Sequence, residues 1–521
     1  MIATSGQDFD IILISGEPYV DHPLSAVGVI ARALDFEGYR VGVVGRPDWR
    51  GDRDFLRLGR PRLFFGITSG SMDSLLVNYS PLKRERRKDP HGPRSSSLPD
   101  RAVLVYANRV RRLFQGSPVV IGGIEASLRR FAHYDYWDDK VRRGLLLDSR
   151  ADILVYGPGE KAALEIAARL ARGENLAGVP GTCVVRQELP AGFEVIPSYE
   201  EVAADPGKFC EAQRRLSNRR HLAQAHAGRF VLQFPAPAAT SADLDWVYGL
   251  PYSREIPRDF PEFAMARFSV VTHRGCLGNC SFCSLAHHQG DRVVSRSEES
   301  ILGEIRRLTR HPHFKGYVDD LGGPTANMYG MDCDACADRE CLKCRRLDLS
   351  HRRLTGLLRA ARAVPGVKKV FVRSGIRYDL AMSSPEYLGE LCRYHVSGRL
   401  KIAPEHVSAK VLALMNKGRS SLDEFRRLFG KLSEGSSQGL LCYFMVGHPG
   451  TSEAEARELA AYVRRLKREG ANPVEGVQLF TPTPMTRSSC MYHTGMDPET
   501  GEPVYVPRSF REKKDQKRML E

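Results

Sequence analysis

Cys276, Cys280 and Cys283 stand in a C-x3-C-x2-C spacing within SVVTHRGCLGNCSFCSLAHHQG, just after a short apolar run. Three thiolates can hold three irons of a 4Fe-4S cluster and leave the fourth without a protein ligand, whereas an electron-transfer cluster normally has four cysteines. An iron with an open position can chelate an amino and a carboxylate group of a small molecule, and that is the chemistry this spacing predicts. The plainer readings of the same residues are three incidental thiols, or a zinc site completed by His287 or His288.

A second group, Cys333, Cys336, Cys341 and Cys344, spells C-x2-C-x4-C-x2-C in the polar stretch MDCDACADRECLKCRR. Four soft ligands so close together point to a metal, because exposed free thiols are a liability. Zinc would make a closed knuckle. A second, fully ligated iron-sulfur cluster could relay electrons or meet substrate, and the position of the loop after a predicted strand favours that choice. Cys183, Cys210, Cys392, Cys442 and Cys490 are isolated; Cys210, Cys392 and Cys442 read as packing residues, and Cys490 packs or stands where a hydrogen-atom donor or a group that captures an intermediate would be useful.

The elements that must position these residues are legible as alternation. The segments DIILIS, RVGVVG, RLFFGITSG, SPVVIGG and ADILVYG alternate with helical patterns, which describes an open, Rossmann-like α/β sheet over residues 1–172. In such sheets ligands sit beyond the strand carboxyl ends, near Asp21, His22, Ser69, Gly70, Gly122, Gly123 and Glu125. Residues 173–260 lose the pattern and read as a connecting region. A second alternation over 261–490, with strands at FSVVTH, KGYVDD, KKVFVRS, RLKIAPEH, LLCYFMVGHPG and GVQLFTP, predicts a partial (βα)6 TIM barrel with a cysteine-rich insertion at 331–346. Apolar faces at Ile301, Ile305 and Leu308, at Leu422, Phe425, Leu428 and Leu432, and at Leu459, Tyr462, Val463 and Leu466 supply the helices, the last opened by a Ser452/Glu455 capping box. Residues 491–521 read as a C-terminal tail.

The cysteine segment resembles the radical-SAM superfamily, and GCLGNCSFCSLAHHQG is similar to the signature shared with tRNA methylthiotransferases. GGIEASLRRFAHYDYWDDKVRR, DLGGPTANMYG, SGIRYD, KIAPEH and GHPGT resemble blocks of the YgiQ-type family (UPF0313), so the resemblance runs from about Asp10 to Pro507. It implies a 4Fe-4S cluster that binds S-adenosylmethionine and splits it reductively to a 5'-deoxyadenosyl radical, the substrate being left unassigned. It also implies roles. Phe282 would pack against the adenine. Gly322, Gly323 and Pro324 would meet the amino group of S-adenosylmethionine, unless they form only a tight turn. Ser374 and Arg377 would face the ribose or carboxylate, and Glu405 the ribose, with satisfied structural polar groups as the alternative. His448 and Gly450 would shape the adenine pocket or merely the following turn. The front domain resembles a cobalamin-binding domain, yet lacks the Asp-x-His-x-x-Gly motif: Asp21 adjoins His22, and Asp89-Pro90-His91 has the wrong continuation. Cobalamin and a cofactor-free substrate or partner domain both stay open.

Seventy-seven Lys and Arg against 62 Asp and Glu give a net charge of +15, which favours an anionic partner such as RNA, although solvated helix faces account for such charge more often. The basic runs KRERRKDPHGPR, from Lys83, and REKKDQKR, near the end, read as mobile. No leader peptide and no long apolar stretch appears, so a cytoplasmic protein without a membrane partner is expected. Relatives of this type usually continue past the end of this chain, which places any role of an extension outside it. Reductive cleavage requires an electron donor such as flavodoxin or ferredoxin. Two readings compete with a radical-SAM enzyme of unassigned substrate: an RNA-modifying enzyme of methylthiotransferase type, and a non-catalytic iron-sulfur binding protein.

Overall fold

In the strand Ile11–Ser15, Ile11 and Leu13 join one apolar cluster and Ile12 and Ile14 another, and all four are buried. The period-two alternation of a strand puts successive side chains on opposite faces, so a sheet built this way must be covered on both. The computed structural model describes residues 2–86, 98–258, 260–333, 341–418, 421–469 and 474–520. It divides into two units: Met1–Ala238 with Leu250–Ala264 and Thr483–Met485, and Ala239–Gly249 with Met265–Pro482 and Thr486–Glu521.

In the first unit the strands Ile2–Ala3, Val41–Gly45, Ile11–Ser15, Phe64–Thr68, Val119–Ile121 and Ile153–Val155 lie side by side in that order, all parallel. Helices Ala26–Phe36 and Glu160–Ala171 cover one face through Val27, Ala31, Leu34, Ala163 and Ile166. Helix Ala102–Leu113 covers the other through Val103, Tyr106 and Val110. The expected Rossmann-like sheet is present. The stretch expected to connect carries four further strands, Thr182–Arg186, Arg229–Phe234, Leu222–His226 and Glu194–Ile196, which extend the same sheet to ten.

In the second unit, parallel pairing runs from Ser269–Val271 to Asp320–Gly322, from Tyr317–Val318 to Lys369–Val370, and from Arg399–Glu405 through Gly439–Val446 to Val474–Leu479. A parallel bridge between Ile376 and Ile402 joins the third strand region to the fourth. The six strands therefore follow one another in chain order, as a partial barrel requires. Helices Glu298–Leu308, Arg352–Ala363, Leu422–Leu432 and Glu453–Arg468 bury Ile301, Ile305, Leu357, Phe425, Leu459 and Val463 in its core. The Ser452/Glu455 capping box forms, with the Ser452 N–H donating to Glu455 at 2.9 Å.

The expected mobile tail is structured. Phe510–Arg518 is a helix, and its Lys513 and Gln516 are buried. The basic run from Lys83 falls in part on residues 87–97, outside the described residues, as do residues 334–340 of the cysteine-rich insertion. No helix among the described residues is long and apolar enough to cross a membrane.

Candidate functional site

The cysteine loop leaves the first barrel strand and is tied down along its length. Cys276 N–H donates to Gly290 O at 3.2 Å, Ser281 N–H to Met415 O at 2.9 Å, and Ser488 N–H to Ser281 O at 2.9 Å. Gly278 is the floor of a cradle. A Cβ on it would stand 3.2 Å from Cys276 Sγ, 3.6 Å from Cys280 Sγ and 3.1 Å from the Arg377 Nη1 atom. Cys276 and Cys280 are half-buried and Cys283 is exposed.

Burial raises the Cys280 thiol, against the pull of Lys417 and Arg377. The protein mass around Cys283 pushes its thiol up to about 12 despite its exposed edge, with the like charge of Cys280 and Cys276 adding to the rise. A metal bound by these two residues would have to displace their protons. Donors to stabilise the resulting thiolates are already in place. Gly278 N–H donates to Cys276 Sγ at 3.4 Å, and Arg377 Nη1 lies 3.9 Å from Cys280 Sγ. Among the described residues no three His, Cys, Asp or Glu side chains converge as a single metal ion would need. Two thiols border the Gly278 cradle with a cationic and an N–H donor beside them, and such donors suit thiolates that hold a metal.

The other strand ends close on this loop. Gly322 and Gly323 end the second strand, where Thr272 N–H donates to Gly322 O at 2.8 Å. Gly323 has no room for a side chain, because a Cβ would meet the His273 ring at 2.5 Å. That ring is buried, burial lowers it to about 4, and its Nε2 has no hydrogen-bond partner among the described residues. Pro324 leads into Thr325, whose hydroxyl lies 3.5 Å from Cys276 Sγ. Asn327 then clamps the third strand end by accepting from Arg377 N–H at 2.8 Å and donating to Arg377 O at 3.0 Å.

Arg377 is pulled two ways. Its Nε and Nη2 engage the Asp379 carboxylate, leaving Nη1 to face the cysteines. Burial alone would raise Asp379, but the Arg377 fork holds it below the usual carboxylate range. Ser374 is turned toward the second strand, with its hydroxyl donating to Asp320, which also accepts from Arg373 N–H at 2.8 Å. Glu405 ends the fourth strand with φ +66°, a conformation that costs a non-glycine residue strain. Its buried carboxyl, raised by that burial, sits 3.6 Å from Lys417 Nζ, which also donates to Ala403 O at 2.6 Å.

Phe282 is half-buried, edge-on to the His448 ring at 6.3 Å. His448 is buried at the fifth strand end, where burial lowers it to about 3 and its Nε2 pairs with Ser488 Oγ at 2.6 Å. Gly450 follows in the turn, its N–H donating to Tyr505 O at 2.7 Å. Thr325, Lys417 and Ser488 are not legible as site residues, since each reaches the cysteine loop or its neighbours from a distant part of the chain, while His273 and Asp379 lie within three residues of Cys276 and Arg377 but in no spacing that marks them. The one available signal was adjacency to recognisable blocks, as with Thr325 beside the Gly-Gly-Pro turn.

In the second cysteine group Cys333 and Cys344 are exposed and Cys341 is half-buried, while Cys336 lies outside the described residues. Cys344 N–H donates to Cys341 O at 3.1 Å and Arg346 N–H to Cys344 Sγ at 3.4 Å. Cys341 and Cys276 pack against the same apolar cluster of Leu277, Val293, Met328, Met331 and Leu380. The isolated Cys183, Cys210, Cys392, Cys442 and Cys490 are all buried.

The strand ends of the front sheet look different. Ser253 N–H donates to the Asp21 carboxylate at 2.9 Å, and the Arg32 guanidinium pairs with it. Both His22 ring nitrogens are engaged, Nδ1 by Leu24 N–H at 3.0 Å and Nε2 beside Arg254 Nη1 at 3.2 Å. Glu125 accepts from Ser74 N–H at 3.1 Å, Ser74 Oγ at 2.6 Å and Val103 N–H at 3.0 Å. Asp21, His22 and Glu125 are thus each held by partners within the first unit.

Comparison with known proteins agrees with this architecture. The description Radical SAM N-terminal matches residues 1–271, Radical SAM superfamily matches 270–463, and a domain of unknown function, DUF3362, matches 475–521. A UPF0313 protein of Geobacter sulfurreducens is 48% identical over 98% of this chain and 89% of its own length. One from Methanocaldococcus jannaschii is 44% identical over 98% and 89%. Among solved structures, the radical S-adenosylmethionine methyltransferase TsrM from Kitasatospora setae aligns with TM-score 0.54 at 18% identity, over 91% of this chain and 74% of that one. The cobalamin-dependent S-adenosylmethionine radical enzyme OxsB aligns with TM-score 0.50 at 12% identity, over 95% and 57%. At such identities these structures bear on the fold, a Rossmann-like sheet followed by a radical-SAM domain. Three family matches that tile the sequence and relatives aligned along nearly all of it place the chain in the UPF0313 family of radical-SAM proteins.

Proposed function

We propose that the chain is an enzyme that holds a 4Fe-4S cluster on Cys276, Cys280 and Cys283 and uses it to cleave S-adenosylmethionine reductively. The observation that carries this reading is the cradle at Gly278, where two of the three thiols meet the Arg377 guanidinium. With the cluster bound, one electron passed to the sulfonium breaks a carbon-sulfur bond and yields a 5'-deoxyadenosyl radical.

The chain's own residues bind and orient. Gly322, Gly323 and Pro324 offer a backbone rim at the second strand end for the amino group, with Gly323 held against His273. Arg377 Nη1 keeps a positive charge beside the cluster loop while Asp379 fixes the rest of its fork. Glu405, held near Lys417, is the acidic group closest in kind to a ribose acceptor. Phe282 and His448 supply aromatic walls for an adenine. The electron comes from a low-potential protein such as flavodoxin or ferredoxin, whose docking an acidic surface would assist against a chain of net charge +15. Cys333, Cys336, Cys341 and Cys344 would take a second metal centre, and the N–H donor on Cys344 Sγ supports a thiolate there.

The test is anaerobic reconstitution with iron and sulfide, then dithionite and S-adenosylmethionine, with chromatography for 5'-deoxyadenosine. The intact chain is expected to form that product and Cys280→Ala to form none. A reconstituted wild type that releases no 5'-deoxyadenosine while holding its iron would leave the non-catalytic iron-sulfur reading standing.

A further inference from the structure

Among the described residues, Cys276 differs from the other two cysteines in having a side-chain hydroxyl against its sulfur. The Thr325 Oγ1 atom lies 3.5 Å from Cys276 Sγ, and this is its one hydrogen-bond contact among the described residues. The backbone holds it there. Thr325 is extended at φ −141° and ψ 107°, Ala326 N–H donates to Gly375 O at 3.0 Å, and Met328 N–H donates to Thr325 O at 3.0 Å. A metal-bound thiolate has no proton to give, so the hydroxyl must be the donor. With Gly278 N–H at 3.4 Å on the same sulfur, Cys276 accepts two hydrogen bonds.

We propose that Thr325 sets the reduction potential of the cluster by donating its hydroxyl proton to Cys276 Sγ. The inference rests on the reading that these cysteines hold a cluster. Hydrogen bonds to the sulfurs draw negative charge away from the metal centre, which favours the form carrying the extra electron and raises the potential. A methyl group in nearly the same volume removes that hydrogen bond. Thr325 thereby makes the cluster easier to reduce by a physiological donor, a role distinct from holding iron or touching the nucleoside.

The experiment is a redox titration of the reconstituted full chain, followed by electron paramagnetic resonance, on wild type, Thr325→Val, Thr325→Ala and Thr325→Ser. The hydroxyl-free variants should hold wild-type iron, yet at a fixed potential their reduced-to-oxidised ratio should fall about threefold to tenfold, the latter being about 59 mV for one electron. Thr325→Ser should titrate with wild type. An unchanged midpoint in Thr325→Val with full iron overturns the proposal. So does an equal shift in Thr325→Ser, which would assign the effect to packing. If neither hydroxyl-free variant loads iron while Thr325→Ser does, the hydroxyl serves assembly, and the tuning role is refuted. The reading beneath it fails separately: a wild-type cluster whose spectrum ignores added S-adenosylmethionine would refute the open iron before any variant is compared.

Discussion

The two units both end parallel strands in glycine-rich loops, but the loops of the front sheet are closed on themselves and those of the barrel are gathered around thiols. In the front sheet, a Cβ on Gly70 would collide with the Glu17 carboxylate, which already accepts from Ser71 N–H at 2.8 Å. Glu125, Ser74, Asp73 and Arg129 form a buried network whose members answer one another. In the barrel, Gly278 leaves a space bordered by two sulfurs and a guanidinium, and Gly323 admits a histidine ring. A glycine after a strand is thus evidence of close approach in both units. What approaches, backbone and carboxylate in one and thiols in the other, decides whether the loop can do chemistry.

That contrast makes the largest prediction in the front unit. Glu125→Ala leaves Ser74 N–H and Val103 N–H without their buried acceptor, at about 1–3 kcal/mol each, so urea unfolding should shift by several kcal/mol. Iron bound per folded chain should not change. A variant that keeps its stability but loses iron would erase the distinction between the two sets of loops.

Gly323→Ala sharpens the comparison from the other side. Its Cβ would displace the buried His273 ring, at about 1–3 kcal/mol for overpacking, and should weaken S-adenosylmethionine binding at least tenfold in equilibrium dialysis. Gly70→Ala, strained at φ +100°, should destabilise comparably while leaving that binding intact. Equal binding losses in both variants would contradict the assignment of the site to the barrel alone.

The two units should also differ in pH dependence. Burial lowers His273 and His406 to about 4 and His448 to about 3, and lowers His351 and His395 as well, all in the barrel unit. In the front unit, among the described residues, burial so lowers His133, to about 3. A histidine kept neutral in the fold contributes stability that is present above its unfolded value of about 6.5 and is lost as pH falls toward the folded value. Hydrogen exchange measured from pH 7 to pH 5 should therefore show the barrel amides losing protection more steeply than those of the front sheet. Parallel loss in both units would remove this asymmetry.

The sequence made some of these features readable and hid others for identifiable reasons. The cysteine spacing, the six barrel strands and the Ser452/Glu455 cap are local patterns, and local patterns survive reading from one chain. Residues 173–260 looked like a connector because the strands at Thr182–Arg186 and Leu222–His226 mix polar and apolar residues without a helical or strand period long enough to see. The C-terminal helix looked mobile because FREKKDQKR is almost wholly polar. Yet Gln516 accepts from Gly447 N–H at 2.9 Å and donates to Thr451 O at 2.9 Å, and Lys513 donates to the Tyr492 hydroxyl at 2.7 Å. Burial by hydrogen bonding to another segment leaves no hydrophobic signature. The same holds for Thr325 and Lys417, whose importance comes from partners far away in the chain.

The central claim is tested most directly by electron-nuclear double resonance on the reduced cluster with S-adenosylmethionine labelled at its amino nitrogen and carboxylate oxygen. Magnetic coupling to both labels is predicted, as one iron without a protein ligand requires. A fully loaded cluster with coupling to neither label would show that every iron is already held by the polypeptide, and would contradict the account.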